Sequence, residues 1–182
     1  MAPQVSADLF GSTPDAFVAG LTAVLLAIFA ALGWVVFRYM LGSPWAPLQI
    51  SGVFMLLVMV GILGYSWATS PNGFRVDRSN LAILRPAGAI EIPLRSIHGV
   101  RLVDGMLGLS MKTWPGGNSG LFGIYGTFTN KELGKFQMYG RRGSGAVVID
   151  TDQGPIALMP SPDQRQRLAQ AIQQRIGPAG KG

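Results

Sequence analysis

The stretch AVVIDTDQGPIALMPSPDQRQRLAQAIQQRIGP, residues 146–178, changes its hydrophobic period halfway along. Its first half holds two short apolar runs, AVVID and PIALMP, which are separated by the turn residues 151–154 and predict two strands. In its second half the apolar residues recur at helical spacing, at Leu168, Ala171, Ile172 and Ile176. The stretch therefore predicts two strands followed by one amphipathic C-terminal helix.

The predicted helix has its own start and stop signals. Ser161 and Gln164 stand three residues apart and predict a capping box, and Pro162 suits the first helical turn. Gly177 and Pro178 are typical of a helix end. We therefore expect the helix to end at about Ile176.

Short alternating apolar runs also precede this stretch, from residue 73 onward. They are GFRVDR (73–78), NLAILR (80–85), AIEIPL (89–94), SIHGVRLV (96–103) and KFQMYG (135–140). Residues 86–88, Pro-Ala-Gly, predict a hairpin turn between the second and third run. With the two runs described above, these predict about seven strands. We expect a small antiparallel sheet structure that is closed by the C-terminal helix.

Two long apolar runs without a charge precede the strands. They are Ala16–Phe37, with 22 residues, and Leu48–Ala68, with 21 residues. About 20 such residues cross the hydrocarbon core of a bilayer as a helix. The short connection at 38–47 contains two prolines, so we expect a transmembrane helical hairpin over 16–68. The fold class is thus an α+β membrane protein with an N-terminal tail at 1–15, a β domain at 73–176 and a C-terminal tail at 177–182.

Aromatic and small residues in the two runs support helices in a membrane. Aromatic residues gather at both ends of the pair, as in interfacial belts: Trp34, Phe37, Tyr39 and Trp45 at one end, Tyr65 and Trp67 at the other. Small residues recur along each run, at Ala23, Ala27 and Ala31 and at Gly61 and Gly64. Such stripes predict close helix–helix contact. The alternative is that these small residues simply fill a helix that faces lipid.

Charge is divided unevenly along the chain, whose net charge is +6. Residues 1–72 contain one basic residue, Arg38, and two acidic ones, whereas residues 73–182 contain fourteen basic and seven acidic residues. The positive-inside rule therefore predicts that the basic domain and both termini lie on the cytoplasmic side. Arg38, in the connection between the runs, weighs against this orientation. The chain has no cysteine, which excludes disulfides and thiolate metal sites.

The basic part resembles the bacterial pleckstrin-homology (PH)-like domains of small membrane proteins. The resemblance extends from about residue 73 to 176, over FRVDRSNLAILR (74–85), IEIPLRSIHGVRLV (90–103), GLFGIYGTFTNKELGKFQMYG (120–140) and VVIDTDQGPIALMPSPDQ (147–164). It implies a seven-stranded β-sandwich or partly open barrel that is capped by a helix, and it implies no enzymatic activity. Because the resembling domains are bacterial and the chain has two predicted spans, we expect the protein in the inner membrane of a bacterium.

The stretch WPGGNSGLFGIYGTFTNKELG, residues 114–134, carries glycine at every third position from 117 to 126. A phosphate loop of the Walker type needs lysine and serine or threonine after its glycines, and a dinucleotide loop needs a strand before and a helix after it; both patterns fail here. Two interpretations remain open. The glycines allow a loop and a strand to fold tightly on their own domain, or the apolar residues form an exposed tip that contacts a partner or lipid. The tip would consist of Leu121, Phe122, Ile124 and Tyr125.

Arginines in the first strands of the domain allow a second kind of contact. Arg75, Arg78 and Arg85 follow the second apolar run, and a juxtamembrane arginine contributes about 1 kcal/mol of attraction to anionic lipid. They are not tightly clustered, so a solvated face that also sets the topology is the competing interpretation. Aromatic and basic residues are not interleaved in the way that nucleic-acid binding would need.

Candidates for catalysis are few. His98 is the single histidine, and we expect it to be structural because no carboxylate is near it in the sequence. Asp150 and Asp152 flank a turn and are expected to shape it. No ligand spacing for a metal and no acid–base pair is present. We therefore expect a protein that is not an enzyme and that uses no cofactor, metal or small-molecule substrate.

Two functions fit this organisation. The first is an accessory subunit that packs on a larger integral membrane complex and stabilises it, and the second is a membrane-tethered module that recruits protein or anionic lipid. Free tails of the composition found at 1–15 and 177–182 should be disordered unless a neighbour holds them. A held tail would favour the subunit.

Overall fold

The computed structural model of the protein describes residues 7–104, 112–113, 118–119, 121–131, 133–141 and 145–176. The described part contains three α-helices: α1 (Ala16–Val35), α2 (Ala46–Thr69) and α3 (Arg165–Ile176). A π-helical segment, Val36–Leu41, continues α1 to the connection with α2. Two 3₁₀ turns are present as well: Leu94–Ser96 lies between two strands, and Pro162–Gln164 directly precedes α3.

Eleven strands lie in the described residues. They are β1 (Asp8–Gly11), β2 (Gly73–Val76), β3 (Asn80–Leu84), β4 (Ile90–Pro93), β5 (Ile97–Val103), β6 (Lys112–Thr113), β7 (Asn118–Ser119), β8 (Ile124–Asn130), β9 (Gly134–Gly140), β10 (Ala146–Thr151) and β11 (Gly154–Met159). The seven expected strands are among them. The four additional strands are β1, the two-residue β6 and β7, and β8, which lies inside the glycine-rich stretch.

The strands form two sheets. The smaller sheet has the order β1–β2–β3–β4, and the larger one has the order β5–β10–β11–β9–β8–β6, with β7 also paired to β8. Neighbouring strands are antiparallel except β9 and β11, which run parallel. The expected hairpin between β3 and β4 is formed, and its turn residue Gly88 has a φ of +111°, which favours glycine.

The main core lies between the two sheets and α3. Phe74 and Ile83 from the small sheet pack with Ile149 and Leu158 from the large sheet. Leu168, Ala171 and Ile172, which were expected on the apolar face of the helix, are buried in the same cluster, and Ile176 packs against its edge. Helix α3 thus closes the β structure as its apolar spacing predicts.

Residues 8–11 of the predicted N-terminal tail are held in the domain, because β1 pairs along its length with β2. Phe10 from β1 is only 7 % exposed and belongs to the main core. The predicted capping box is wrong for a related reason. Neither Ser161 nor Gln164 caps α3; Gln164 Oε1 accepts a hydrogen bond of 2.6 Å from the Gly11 N–H, and Ser161 Oγ donates to the Gly11 carbonyl at 3.2 Å. The C-terminal tail, 177–182, lies outside the described residues.

Helices α1 and α2 form a hairpin that uses different small residues from those expected. Gly52 is buried, and a Cβ there would lie 3.0 Å from Cβ of Met40 and 3.4 Å from Cγ1 of Val36. Further along, Gly33 faces Leu56. The small residues singled out from the sequence are instead exposed on the outer sides of the hairpin: Ala23, Ala27, Ala31, Gly61 and Gly64. They do not hold the hairpin together, and contact with a helix of another protein stays a prediction.

Both helices are long and apolar enough to cross a membrane. They extend over 26 residues, Ala16–Leu41, and 24 residues, Ala46–Thr69, and only 6 % of the most apolar part of each is buried in the protein. Large apolar side chains are therefore exposed along both helices, including Phe54 at 68 % and Leu57 at 65 %. A helix in the core of a soluble protein would bury such side chains.

Candidate functional site

The helices enter the β domain through a continuous hydrogen-bonded region, which we call the joint. It consists of residues 12–18 and 66–72, before and after the hairpin, together with 121–125 and 140–141 of the domain. Ser12 Oγ donates to the Met159 carbonyl at 2.9 Å and accepts from the Arg141 N–H at 3.1 Å. The Asp15 N–H donates to the Arg141 carbonyl at 3.1 Å, while the Asp15 carboxylate caps α1 by accepting from the Val18 N–H at 2.8 Å.

The end of α2 is held in the same way. The buried Tyr125 hydroxyl donates to the Ser66 carbonyl at 2.7 Å and lies 3.3 Å from Thr69 Oγ1. From the turn between β3 and β4, the Ala87 N–H donates to the Ala68 carbonyl at 2.8 Å. The two helices are therefore attached to the domain independently of each other.

Side-chain packing makes the joint rigid. Val18 of α1 is 1 % exposed and lies in a second core cluster with Ile124, Phe128 and Phe136 of β8 and β9. Ser70, which ends α2, is fully buried. Because the first turn of α1 is part of the domain core, the domain is fixed to the hairpin and does not hang from a linker.

The apolar tip expected in the glycine-rich stretch is not exposed. Leu121, Ile124 and Tyr125 are between 6 % and 8 % exposed, and Phe122 is half-buried with its N–H donating to Thr22 Oγ1 at 3.2 Å. These side chains face the joint because the stretch returns along the start of α1. Trp114–Gly117 and Gly120 lie outside the described residues.

Two glycines let the chains approach closely at this place. Gly123 has a φ of +154°, and a Cβ there would lie 2.7 Å from the Gly140 carbonyl oxygen and 3.5 Å from Cγ of Arg141. A Cβ on Gly140 would lie 2.2 Å from Cβ of Met159 in β11. The structural interpretation of the glycine-rich stretch thus applies to Gly123, and Gly140, beyond that stretch, has the same role: both allow close backbone contact at the joint.

The three arginines expected at a lipid surface lie apart from one another. Arg75 forms an ion pair with Asp77 at 3.0 Å. Arg78 lies beyond β2, and this strand extends about 10 Å away from the end of α2. Arg78 lies with Arg95 and Arg175 around an open cavity of about 490 Å³ at this far end of the domain. Arg85 is next to the helix end, where its Nε donates to the Gly88 carbonyl at 3.2 Å. Hence Arg85 alone of the three borders the joint.

Arg141 lies inside the joint and was not singled out from the sequence. Its Nη2 lies 3.4 Å from Ser70 Oγ, and its buried Nε has no hydrogen-bond partner among the described residues. Burial lowers the pKa of the Arg141 guanidinium. The sequence signal was the pair of arginines in YGRRGSG, directly after the predicted strand at 135–140. Nearby in β9, burial raises the pKa of the Tyr139 phenol, and the charge of Arg85 partly offsets this rise.

The groups considered for catalysis lie on the surface. His98 does have a carboxylate partner, because its Nε2 contacts Asp152 Oδ1, but the two side chains are 60 % and 63 % exposed. Asp150 pairs with Arg101 at 3.2 Å. The turn itself is held by Thr151, whose Oγ1 donates to the Gly154 carbonyl at 2.7 Å. In the part of the chain that the structure describes, no three acidic or histidine side chains are grouped as metal ligands.

Comparison with known proteins identifies the domain. The model of a family described as bacterial PH domain matches residues 72–176, which is more than half of the chain. The protein therefore belongs to the bacterial PH domain family, as its resemblance indicated. The search of curated proteins gives no match, and the search of solved structures gives none either. The matched region begins after α2, so β1, which completes the small sheet, comes from outside it.

Proposed function

We propose that the protein is anchored in a membrane by α1 and α2 and acts by binding rather than by catalysis. The exposed apolar surface of both helices supports this proposal, because it needs lipid or protein to cover it. Trp45 and Trp67, at opposite ends of α2, are 64 % and 56 % exposed. They are separated by about 33 Å along the helix axis, close to the thickness of a bilayer core.

In the proposed topology the domain lies on the cytoplasmic face of a bacterial inner membrane. The pairing of β1 with β2 supports having residues 8–11 and the domain on the same side, since these strands precede and follow the hairpin. The excess of basic residues in 73–182 supports the cytoplasmic side, by the positive-inside rule.

The role that we propose is that of an accessory subunit on a larger integral membrane complex. The rigid joint carries this proposal, because it holds the domain in one orientation relative to the helices. A subunit that packs on a complex with its helices and its domain together needs such a fixed geometry. A recruiting module on a flexible tether does not need it.

One observation favours a second candidate, a regulatory module that recruits a protein. The cavity bordered by Arg78, Arg95 and Arg175 opens at the end of the domain that is remote from the helices. Arg175 is neutralised by Asp8 at 2.7 Å, whereas Arg95 is exposed. A partner with an acidic surface segment would fit this end of the domain.

Sealed inner-membrane vesicles test the membrane anchor and the orientation. We expect the protein to stay in the pellet after carbonate washing. In inside-out vesicles we expect protease to remove the domain, and in right-side-out vesicles we expect the domain to be protected. Release into the supernatant would contradict the anchor, and cleavage only in right-side-out vesicles would contradict the proposed side.

Leucine substitutions on the outer sides of the hairpin test the subunit role. We expect Ala27→Leu combined with Gly64→Leu to lower the yield of co-purifying membrane proteins about tenfold, because the larger side chains prevent close helix contact. Val24→Leu combined with Val58→Leu is the matched control, since both residues are large, apolar and exposed. Mild detergent extraction followed by mass spectrometry measures the yield. Recovery of the unmodified protein as a lone monomer would contradict the subunit role.

A further inference from the structure

Arg141 is a partly buried cation that has no counter-charge among the described residues. Four arginines of the domain form ion pairs with carboxylates: Arg75, Arg101, Arg165 and Arg175. Among the described residues no carboxylate pairs with Arg141. A guanidinium has five N–H donors, and the described contacts of this one amount to a long hydrogen bond to Ser70 Oγ.

The unpartnered donor is costly where it lies. The Nε atom is removed from solvent and has no acceptor in the described part of the chain, and a buried charged donor without a partner costs more than a neutral one. Other arginines without a carboxylate partner, such as Arg95 and Arg167, are exposed, so water satisfies them. The charge of Arg141 thus calls for an anion, and an anion from outside the chain can reach only the terminal nitrogens of the guanidinium, because Nε is closed to solvent.

The position of Arg141 indicates which anion could meet this requirement. The Arg141 carbonyl accepts a hydrogen bond from the N–H of Asp15, one residue before α1 begins. Its guanidinium lies beside Ser70, where α2 ends. If α1 and α2 cross a bilayer, both helix ends lie at the depth of the lipid headgroups. The abundant anion at that depth is the phosphodiester of a phospholipid.

Gly123 of the glycine-rich stretch leaves room for the side chain of Arg141. The aliphatic stem of Arg141 passes beside Gly123, where a Cβ would lie 3.5 Å from its Cγ. The hydroxyls of Ser12 and Ser70 donate to carbonyls, of Met159 and Trp67 respectively, so their protons are not available to neutralise an anion. Recognition would therefore depend on the guanidinium itself.

We propose that Arg141 binds the phosphodiester of a phospholipid in the leaflet next to the domain, between the start of α1 and the end of α2. This inference rests on the proposed membrane anchor. An arginine forms charge-assisted hydrogen bonds to phosphate oxygens, often two in parallel. The lipid would thereby supply a counter-charge at the joint and strengthen the attachment of the domain.

Thermal unfolding of the full-length protein in detergent, titrated with phosphatidylglycerol, tests this site. We expect the lipid to raise the unfolding temperature of the unmodified protein. Arg141→Gln should need about tenfold more lipid for the same rise, because a charge-assisted hydrogen bond is lost. Arg167→Gln, at an exposed position of α3, is the matched control and should respond like the unmodified protein. Arg141→Lys keeps the charge and should fall between the two.

Two further additions identify the source of the phosphate. Diacylglycerol with the same acyl chains lacks the phosphodiester, so it should not raise the unfolding temperature in a way that depends on Arg141. Inorganic phosphate in the absence of lipid should not raise the unfolding temperature either. An equal rise with inorganic phosphate would overturn the lipid assignment. An equal response of Arg141→Gln and the unmodified protein to phosphatidylglycerol, with both folded by circular dichroism, would overturn the site.

The carbonate wash and the phosphatidylglycerol titration together distinguish an incorrect lipid site from an incorrect membrane anchor. If carbonate releases the unmodified protein from the membrane, the proposed membrane anchor is wrong, and the proposed lipid site at Arg141 is then wrong as well. If the unmodified protein is retained and Arg141→Gln binds phosphatidylglycerol unchanged, the anchor stands and the lipid site alone is wrong.

Discussion

Phe10→Ala should destabilise the β domain by about 4 kcal/mol, because a phenyl ring is lost from a closely packed core. Phe10 is 7 % exposed, and it packs with Phe74 although the two residues are separated by both long helices. A loss of this size is a large fraction of the stability of a typical domain. Urea unfolding of the detergent-solubilised protein, followed by circular dichroism, measures the change.

The neighbouring residue provides the control for this prediction. Leu9 lies on the same strand, is 67 % exposed and is not part of the core. Leu9→Ala should therefore change the free energy of unfolding by less than about 0.5 kcal/mol. Equal effects of the two substitutions would show that β1 does not contribute its inner face to the domain.

Gly140→Ala should destabilise the domain by about 3 kcal/mol through overpacking. The added Cβ would lie 2.2 Å from Cβ of Met159 and 3.1 Å from the Met159 carbonyl oxygen. Neither atom is at the end of a flexible side chain, so β9 and β11 would have to separate where they pair in parallel. Scanning fluorimetry of the full-length protein measures the loss as a lower unfolding temperature.

A glycine without close neighbours is the control for this second prediction. A Cβ on Gly64 in α2 would have no neighbouring atom within 4 Å, so Gly64→Ala should be neutral or slightly stabilising. A Gly140→Ala variant that unfolds at the same temperature as Gly64→Ala would contradict the close contact between β9 and β11.

The parts of the fold with a strong local pattern could be predicted from the sequence. The two helices, the β3–β4 hairpin and the apolar face of α3 each depend on spacing within one segment, and each is formed. Strand β1 has no such pattern. It contains Asp8 and Gly11 in four residues, and it becomes a strand because β2 offers an unpaired edge.

Side-chain roles that depend on distant partners could not be predicted. Ser161 and Gln164 have the spacing of a capping box, but the backbone of Gly11 competes for both of them across about 150 residues of sequence. Apolar residues such as Tyr125 looked exposed because the sequence does not say that the stretch returns to α1 and α2. Arg141 was missed because its significance comes from the lack of a carboxylate partner among the described residues, and this depends on the three-dimensional arrangement of the chain.

Strand β1 is synthesised about 60 residues before β2, its partner in the small sheet. At ordinary translation rates this delay lasts several seconds, during which β1 has nothing to pair with. If α1 and α2 are threaded through a bilayer as proposed, the two strands meet only in chains whose second helix returns to the side of the first residues. In a chain with only one helix inserted, β1 and β2 would lie on opposite sides of the bilayer. The edge of β2 would then be unpaired, and Phe10 would be absent from the main core. A complete small sheet, with β1 paired to β2, would thus occur only in chains in which both helices are inserted.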